Sequence, residues 1–237
     1  MSWEADASNV YWDLSDPRVE NNAILIAEIL VEYDYDLKAI AAVLGNAMSE
    51  GTMNPWLWEG GVPTYDYFMQ HQAEFDSRGY GLYQYTNPNK YINANSQSLP
   101  GYDPHFYDVT GSPEDGEAQT HWLTLNLTNE WNTNHYGDYY QGFLDDNQKD
   151  INDFYWITVP DFIAGNAQGS TEDEQIENLT GAFELCFERP RTDRAIGTYN
   201  LRVSRALYFY DMIQGVGGRS KFNWMYYLKP WWKGRIL

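Results

Sequence analysis

The sequence predicts a mainly α, α+β domain in which a small strand-bearing lobe stands against a set of helices. Three features carry this expectation. Apolar residues recur at three- and four-residue spacing through 21–50, 117–131 and 171–212, the period of helices with one buried side. A capping box, Thr171 with Glu174, marks a helix start by satisfying exposed backbone donors on both sides of the first turn. Between the early and late helices, Gly51, Pro55, Gly60, Gly61 and Pro63 interrupt helical continuation, and the run GYGLYQY at 79–85 carries the best strand signal in the chain.

In chain order, Asn21–Tyr33 reads as the first helix. The second runs from an N-cap at Asp36 through LKAIAAVLGNAMS to Glu50, with Ile40, Val43, Leu44 and Ala47 on its buried side. That register sets Asn46 one turn before Glu50 and puts Glu50 at the helix end. Residues 51–85 read as loops and short strands, and 86–116, rich in Asn, Ser, Pro, Gly and Asp, as a long surface excursion. Helical pattern returns at 117–131, where Ala118, Trp122 and Leu125 share a stripe, and weakly at 139–154. The capped helix at 171 extends to about Phe187. Pro190 breaks the chain, and Thr192–Met212 forms the last helix, with Ile196, Tyr199, Val203, Ala206 and Tyr210 in register.

With 237 residues, the chain is expected to form one main domain, residues 1–211, followed by a distinct segment, 212–237. Thirty-four acids against fifteen basic residues give a formal charge of -19, which excludes a general nucleic-acid binder because a polyanion is repelled by a field of its own sign. All the acids lie in 1–211. The 212–237 segment carries five Lys/Arg among Phe222, Trp224, Tyr226, Tyr227, Trp231 and Trp232, and reads either as packed on the acidic body or as a docking segment. Aromatic residues make up 17% of the chain, so rings must supply much of the packing, with enough left over for an aromatic-lined site. The single cysteine, Cys186, cannot form an intrachain disulfide and reads as inert filling. No signal peptide or membrane span is read in the sequence. His71, His105, His121 and His135 are scattered without ligand spacing, so neither a metal nor a cofactor is expected.

Among so many acids, Glu50 stands out by its setting. It ends a small apolar helix immediately before a turn, where a carboxyl can face a cleft while its helix is buried. Partial burial beside the negative end of a helix favours a protonated carboxyl, the form needed to donate a proton to a poor leaving group.

The segment Val43-Leu44-Gly45-Asn46-Ala47-Met48-Ser49-Glu50-Gly51-Thr52-Met53-Asn54-Pro55 resembles the active-site segment of phage tail lysozymes, the peptidoglycan-degrading domains carried on phage tail tips. Gly79-Tyr80-Gly81-Leu82-Tyr83-Gln84-Tyr85 is similar to the GxGLxQ element those domains share with goose-type lysozymes and lytic transglycosylases. Order and spacing of the two blocks also match, and Phe183–Pro190 with the helix after it looks like the family's closing helices. One departure is Gly51, where Ser is common.

The resemblance implies a lysozyme-like fold with the strand-bearing lobe as one wall of a saccharide cleft. It further implies cleavage of the MurNAc-GlcNAc β-1,4 bond of bacterial peptidoglycan, with Glu50 as general acid. Asp66 and Asp76 are the candidates for a second carboxylate, since the lobe between the motifs should border the cleft, with Glu59 and Glu74 behind them. Asn46, Asn54, Trp56, Tyr83, Gln84, Tyr85 and Tyr199 are the candidate substrate-binding residues. The implied setting is a virion tail tip or the host wall after release, with other tail proteins as possible partners of the 212–237 segment. Lytic transglycosylation shares the acid step, and a structural or wall-binding module without useful turnover is the alternative from another class.

Overall fold

The computed structural model describes residues 1–61, 70–75, 77–86, 88–92, 98–102, 112–133, 156–189 and 192–218. The described elements are α1 (Pro17–Glu32), α2 (Leu37–Glu50), two single turns α3 (Gln72–Phe75) and α4 (Asn89–Ile92), α5 (Asp115–Glu130), α6 (Val159–Ile163), α7 (Glu172–Phe183), a π-helical turn (Glu184–Glu188) and α8 (Thr192–Gly218).

The helix starts follow local chemistry. Asp16 accepts from Arg18 N and Pro17 fills the first turn, where no amide is needed, so α1 begins one turn before the Asn21 predicted by periodicity alone. Asp36 caps α2 through Lys38 N, as expected. Both halves of the Thr171/Glu174 box form at α7. The continuation of α7 is the π-helical turn, closed by Arg189 at φ 53.

Helix α2 is the centre of the fold, buried continuously from Ala39 to Met48 and packed by α1, α7 and α8. Its small residues let neighbours approach closely. A Cβ on Gly45 would lie 2.7 Å from Ala206 N and Arg202 O, so α2 and α8 meet backbone to backbone at this point. Helix α5 packs on α1, with Tyr33 Oη 3.0 Å from His121 Nδ1. Its predicted stripe is corrected in one member: Leu125 is 56% exposed, and Leu123 and Leu127 join Ala118 and Trp122 in the core.

Among the described residues the strand-bearing lobe is not present: no strand forms, and the β pairing is a single antiparallel bridge, Trp58 with Tyr80. The reason lies in the backbone of 79–85. Gly81 takes φ 80 and Gln84 φ 44, Gln84 N donates to Gly81 O at 3.3 Å, and Tyr85 N donates to Tyr80 O at 3.0 Å. The chain therefore coils back on itself, and Tyr80, Leu82, Tyr83 and Tyr85 are all buried where a strand would send alternate residues to opposite faces. The fold is helical, with a coil of buried aromatic residues where α+β was expected.

This coil is fixed from inside. Gln119 of α5 accepts from Leu82 N at 2.8 Å and donates to Pro55 O at 2.8 Å and Asp115 Oδ2 at 3.0 Å. Tyr80 donates to Asp115 at 2.7 Å, and Tyr91, buried in what reads from sequence as a surface excursion, donates to the same carboxyl. Buried polar groups that find partners in this way hold one loop conformation. The weak helix at 139–154 and residues 219–237 of the basic aromatic segment lie outside the described residues.

Candidate active site

Glu50 is the last residue of α2, and the turn after it is unusual. Gly51 caps the helix, and Thr52 and Met53 both take positive φ, 48 and 63, a conformation a β-branched residue adopts only when its surroundings impose it. Those surroundings are the N-terminal segment and α1. Thr52 Oγ1 accepts from Trp12 N at 3.2 Å, and Asn22 donates to Met53 O at 2.9 Å. Asn54 accepts from Asp6 N at 3.2 Å and Trp56 N at 3.1 Å and donates to Asp6 O at 2.9 Å. Close packing accounts for glycine at position 51. A Cβ there would stand 2.6 Å from Leu82 O and closer still to Gly81 O, so the helix end carrying Glu50 touches the 79–85 coil directly.

The Glu50 side chain is 23% exposed and pairs through Oε1 with the guanidinium of Arg202, which is 3% exposed. Arg202 is held on its other edges as well. Nη1 donates to Asn46 Oδ1 at 2.8 Å, and Nε lies 3.0 Å from Glu184 Oε1 and 3.4 Å from Thr198 Oγ1. Asn46 in turn donates to Ala42 O at 2.9 Å and Thr180 O at 3.2 Å, locking its amide in the orientation that offers oxygen to Arg202. Next along α8, Arg205 donates to Met48 O at 3.1 Å and Ser49 Oγ at 2.9 Å, placing a cation against the carbonyl end of α2.

Two further carboxyls complete the cluster. Glu184 is fully buried, and burial outweighs the attraction of Arg202, so with repulsion from Glu50 its pKa is pushed up to about 7. Glu188 is partly exposed as a residue, but its Oε1 is shut off from water; burial, then Glu50, raises it well above the ordinary carboxyl value against the pull of Arg202. Burial works against the charge of Arg202, yet Glu184, Glu50 and Glu188 outweigh it and its pKa is raised. One fixed cation thus faces three carboxyls, and burial pushes two of them, Glu184 and Glu188, toward their protonated forms. Glu50 is the member that combines contact with that cation and access to solvent.

Of the residues singled out in the sequence, Glu50 and Asn46 are brought together on Arg202. Asn54 is buried in the turn after Glu50. Trp56, Tyr83, Tyr85 and Tyr199 are buried. Tyr83 Oη lies 3.2 Å from Thr120 Oγ1, Tyr85 donates to Gln119 O at 2.9 Å, and Tyr199 donates to Glu177 at 3.3 Å. Gln84 is half-buried and donates to Leu57 O at 3.1 Å and Gly81 O at 3.0 Å, bracing its own coil. Glu59 accepts from Gly79 N at 3.0 Å, and Glu74 is exposed on the single turn α3. Asp66 and Asp76 lie outside the described residues. Sequence reasoning misses Arg202, Glu184 and Glu188. The available signal is the run Phe183-Glu184-Leu185-Cys186-Phe187-Glu188, in which two acids four apart are set among core residues.

Among the described residues no group of three or more His, Cys, Asp or Glu comes together as a metal site, and no helix is long and apolar enough to cross a membrane. The family model of phage tail lysozymes matches residues 21–213. That span includes the Glu50 turn, the 79–85 coil and the Arg202 cluster. It covers most of the sequence, and the chain belongs to the phage tail lysozyme family.

Proposed function

We propose that this chain cleaves the glycan strands of bacterial peptidoglycan at the MurNAc-GlcNAc β-1,4 bond, with Glu50 as the general acid. Family membership supports a lysozyme-type enzyme acting on peptidoglycan. The observation that carries the assignment to Glu50 is its place in the Arg202 cluster. Its carboxyl is oriented by a buried guanidinium on one oxygen and remains open to solvent, whereas Glu184 is sealed in the core.

In this reading Arg202 occupies Oε1, and the proton to be donated sits on Oε2. Donation to the glycosidic oxygen breaks the bond to the anomeric carbon as positive character develops there. Water then completes hydrolysis, or the muramyl 6-hydroxyl closes an anhydro ring, and both routes begin with the same proton. Asp66 and Asp76, from the segment between the two motifs, are the proposed carboxylates for positioning that water or stabilising the charge. The chain acts at the host wall, carried on the virion tail or released, and the 212–237 segment is the proposed contact with other tail proteins.

The test is mass spectrometry of products from one defined peptidoglycan, comparing wild type with Glu50→Gln. Wild type releases glycan fragments with new reducing or anhydro-muramyl ends, and the variant, with an unchanged thermal melt, releases none. Normal release by Glu50→Gln removes Glu50 from the chemistry. New free amino groups without new glycan ends would make the chain a peptidase or amidase instead.

A further inference from the structure

We propose that Glu184 is a positioning residue for Glu50 that acts through Arg202, holding the guanidinium by its Nε edge so that its opposite arm is fixed on Glu50 and its charge is shared between two carboxyls. This rests on the reading of Glu50 as the general acid.

The geometry is a clamp with three jaws. Asn46 on α2, Glu184 on the π-helical turn and Glu50 at the end of α2 each take a different edge of one guanidinium, at 2.8 Å from Nη1, 3.0 Å from Nε and at Nη2 respectively. A planar guanidinium bound on three edges has no remaining rotation, so the position of the Glu50 carboxyl is set by groups in the core. Thr198 of α8 donates to Glu184 Oε1 at 3.3 Å and keeps that carboxyl facing Arg202. The π-helical turn is the device that presents it. Widening the helix for one turn places Glu184 and Glu188 toward α2 and α8 and breaks the i→i+4 ladder at the point where α7 would otherwise continue past the site.

The second consequence is electrostatic. An acid that donates its proton near neutrality is poorly served by a whole positive charge beside it, since that charge favours its carboxylate. Glu184 divides the charge. Below its titration it is neutral, and as pH rises through about 7 it becomes an anion that offsets the charge of Arg202. The groups facing the cluster are Glu50 and Asn46 from α2, Glu184, Glu188 and Arg189 from the π-helical turn and its cap, and Thr198, Arg202 and Arg205 from α8. Tyr83 and Tyr85 sense Glu188 from the 79–85 coil, and Tyr85 also senses Glu130 of α5. Among these, Glu184 is the carboxyl in direct contact with the same guanidinium as Glu50.

Two measurements on the full-length chain test this. In the first, the pH profile of glycan cleavage is compared between wild type and Glu184→Gln, a neutral side chain of the same shape. Loss of the shared charge moves the alkaline limb to lower pH by about half a pH unit or more. A merely structural Glu184 would lower the rate without moving the limb. In the second, the Glu184 carboxyl is titrated by carbon-13 NMR in wild type and in Glu50→Gln, a change at a partly exposed position that leaves the core intact. Coupling between the two is reciprocal, so the Glu184 midpoint, about 7 in wild type, falls when Glu50 is neutral. An unmoved midpoint overturns the proposal whatever the activity, and so does an unmoved alkaline limb in an active Glu184→Gln protein. A wild-type chain that releases no glycan ends overturns the functional reading alone, and the carboxyl titration still decides the coupling.

Discussion

Neutralising Glu184 should flatten the loss of stability with rising pH, although it deletes one partner of a buried ion pair. Proton linkage gives the sign. The folded-state pKa of Glu184 is about 7, raised above an ordinary value of 4.5 by burial, with Arg202 opposing the shift and Glu50 adding to it. For a carboxyl raised in this way, the associated stability is fully present below pH 4.5 and is lost as pH rises through about 7, because the folded state must then hold a charge it disfavours. At about 1.4 kcal/mol per pH unit, that separation amounts to roughly 3 kcal/mol, a large share of the 5–15 kcal/mol typical of a folded domain. Since the side chain is sealed from water, no discount for screening applies. Urea denaturation of wild type and Glu184→Gln at pH 5, 6, 7 and 8 reads the effect directly. Over that range the variant is spared a loss of roughly 2–3 kcal/mol relative to wild type, the difference growing from pH 5 and levelling off above about pH 7. Parallel curves would refute the reasoning, since they would mean that Glu184 carries the same charge in the folded and unfolded chains.

Other substitutions test the frame around Glu50. Gly51→Ala puts a Cβ 2.6 Å from Leu82 O and closer still to Gly81 O, and relieving the overlap should cost about 1–3 kcal/mol in chemical denaturation. The same change should lower the rate of wall cleavage by about 100-fold if the Glu50 carboxyl moves by about 1 Å, with the fold retained by circular dichroism. Asn54→Ala removes an acceptor from Asp6 N and Trp56 N and a donor to Asp6 O, and should cost about 3 kcal/mol, read as a fall in urea midpoint. An Asn54→Ala protein of unchanged stability and weakened binding to glycan fragments would instead place Asn54 on the substrate.

The helices are legible where the sequence states its own boundaries. Asp36 with the apolar period behind it locates α2, and the Thr171/Glu174 pair locates α7, because a cap is a local hydrogen bond that needs no tertiary context. Glu50 at a helix end comes from the same local pattern. The 79–85 run misleads because alternation is a signal only when the two faces differ. Here Leu82 and Tyr83 are neighbours in sequence and both buried, which requires the reversed backbone at Gly81 and Gln84 and the inward hydrogen bond from Leu82 N to Gln119. A contact to a residue 37 positions away is not written in a local pattern.

The same distinction explains why the carboxyl cluster is hidden. In a chain with 34 acids, an acid is ordinarily a solvated surface group, and nothing about Glu184 or Glu188 taken singly departs from that expectation. Their company does depart from it. Phe183, Leu185, Cys186 and Phe187 are all buried, and Glu184 is buried among them. A chain keeps a buried acid by protonating it or by supplying an internal cation. Arg202, on a helix whose described buried positions are otherwise aliphatic or aromatic, is the residue that meets this need. Burying the pair costs several kcal/mol per ion, which a hydrophobic replacement would avoid. Retaining the charges therefore makes physical sense if the cation has work beyond stability, and the contact that would be lost with it is the one to Glu50.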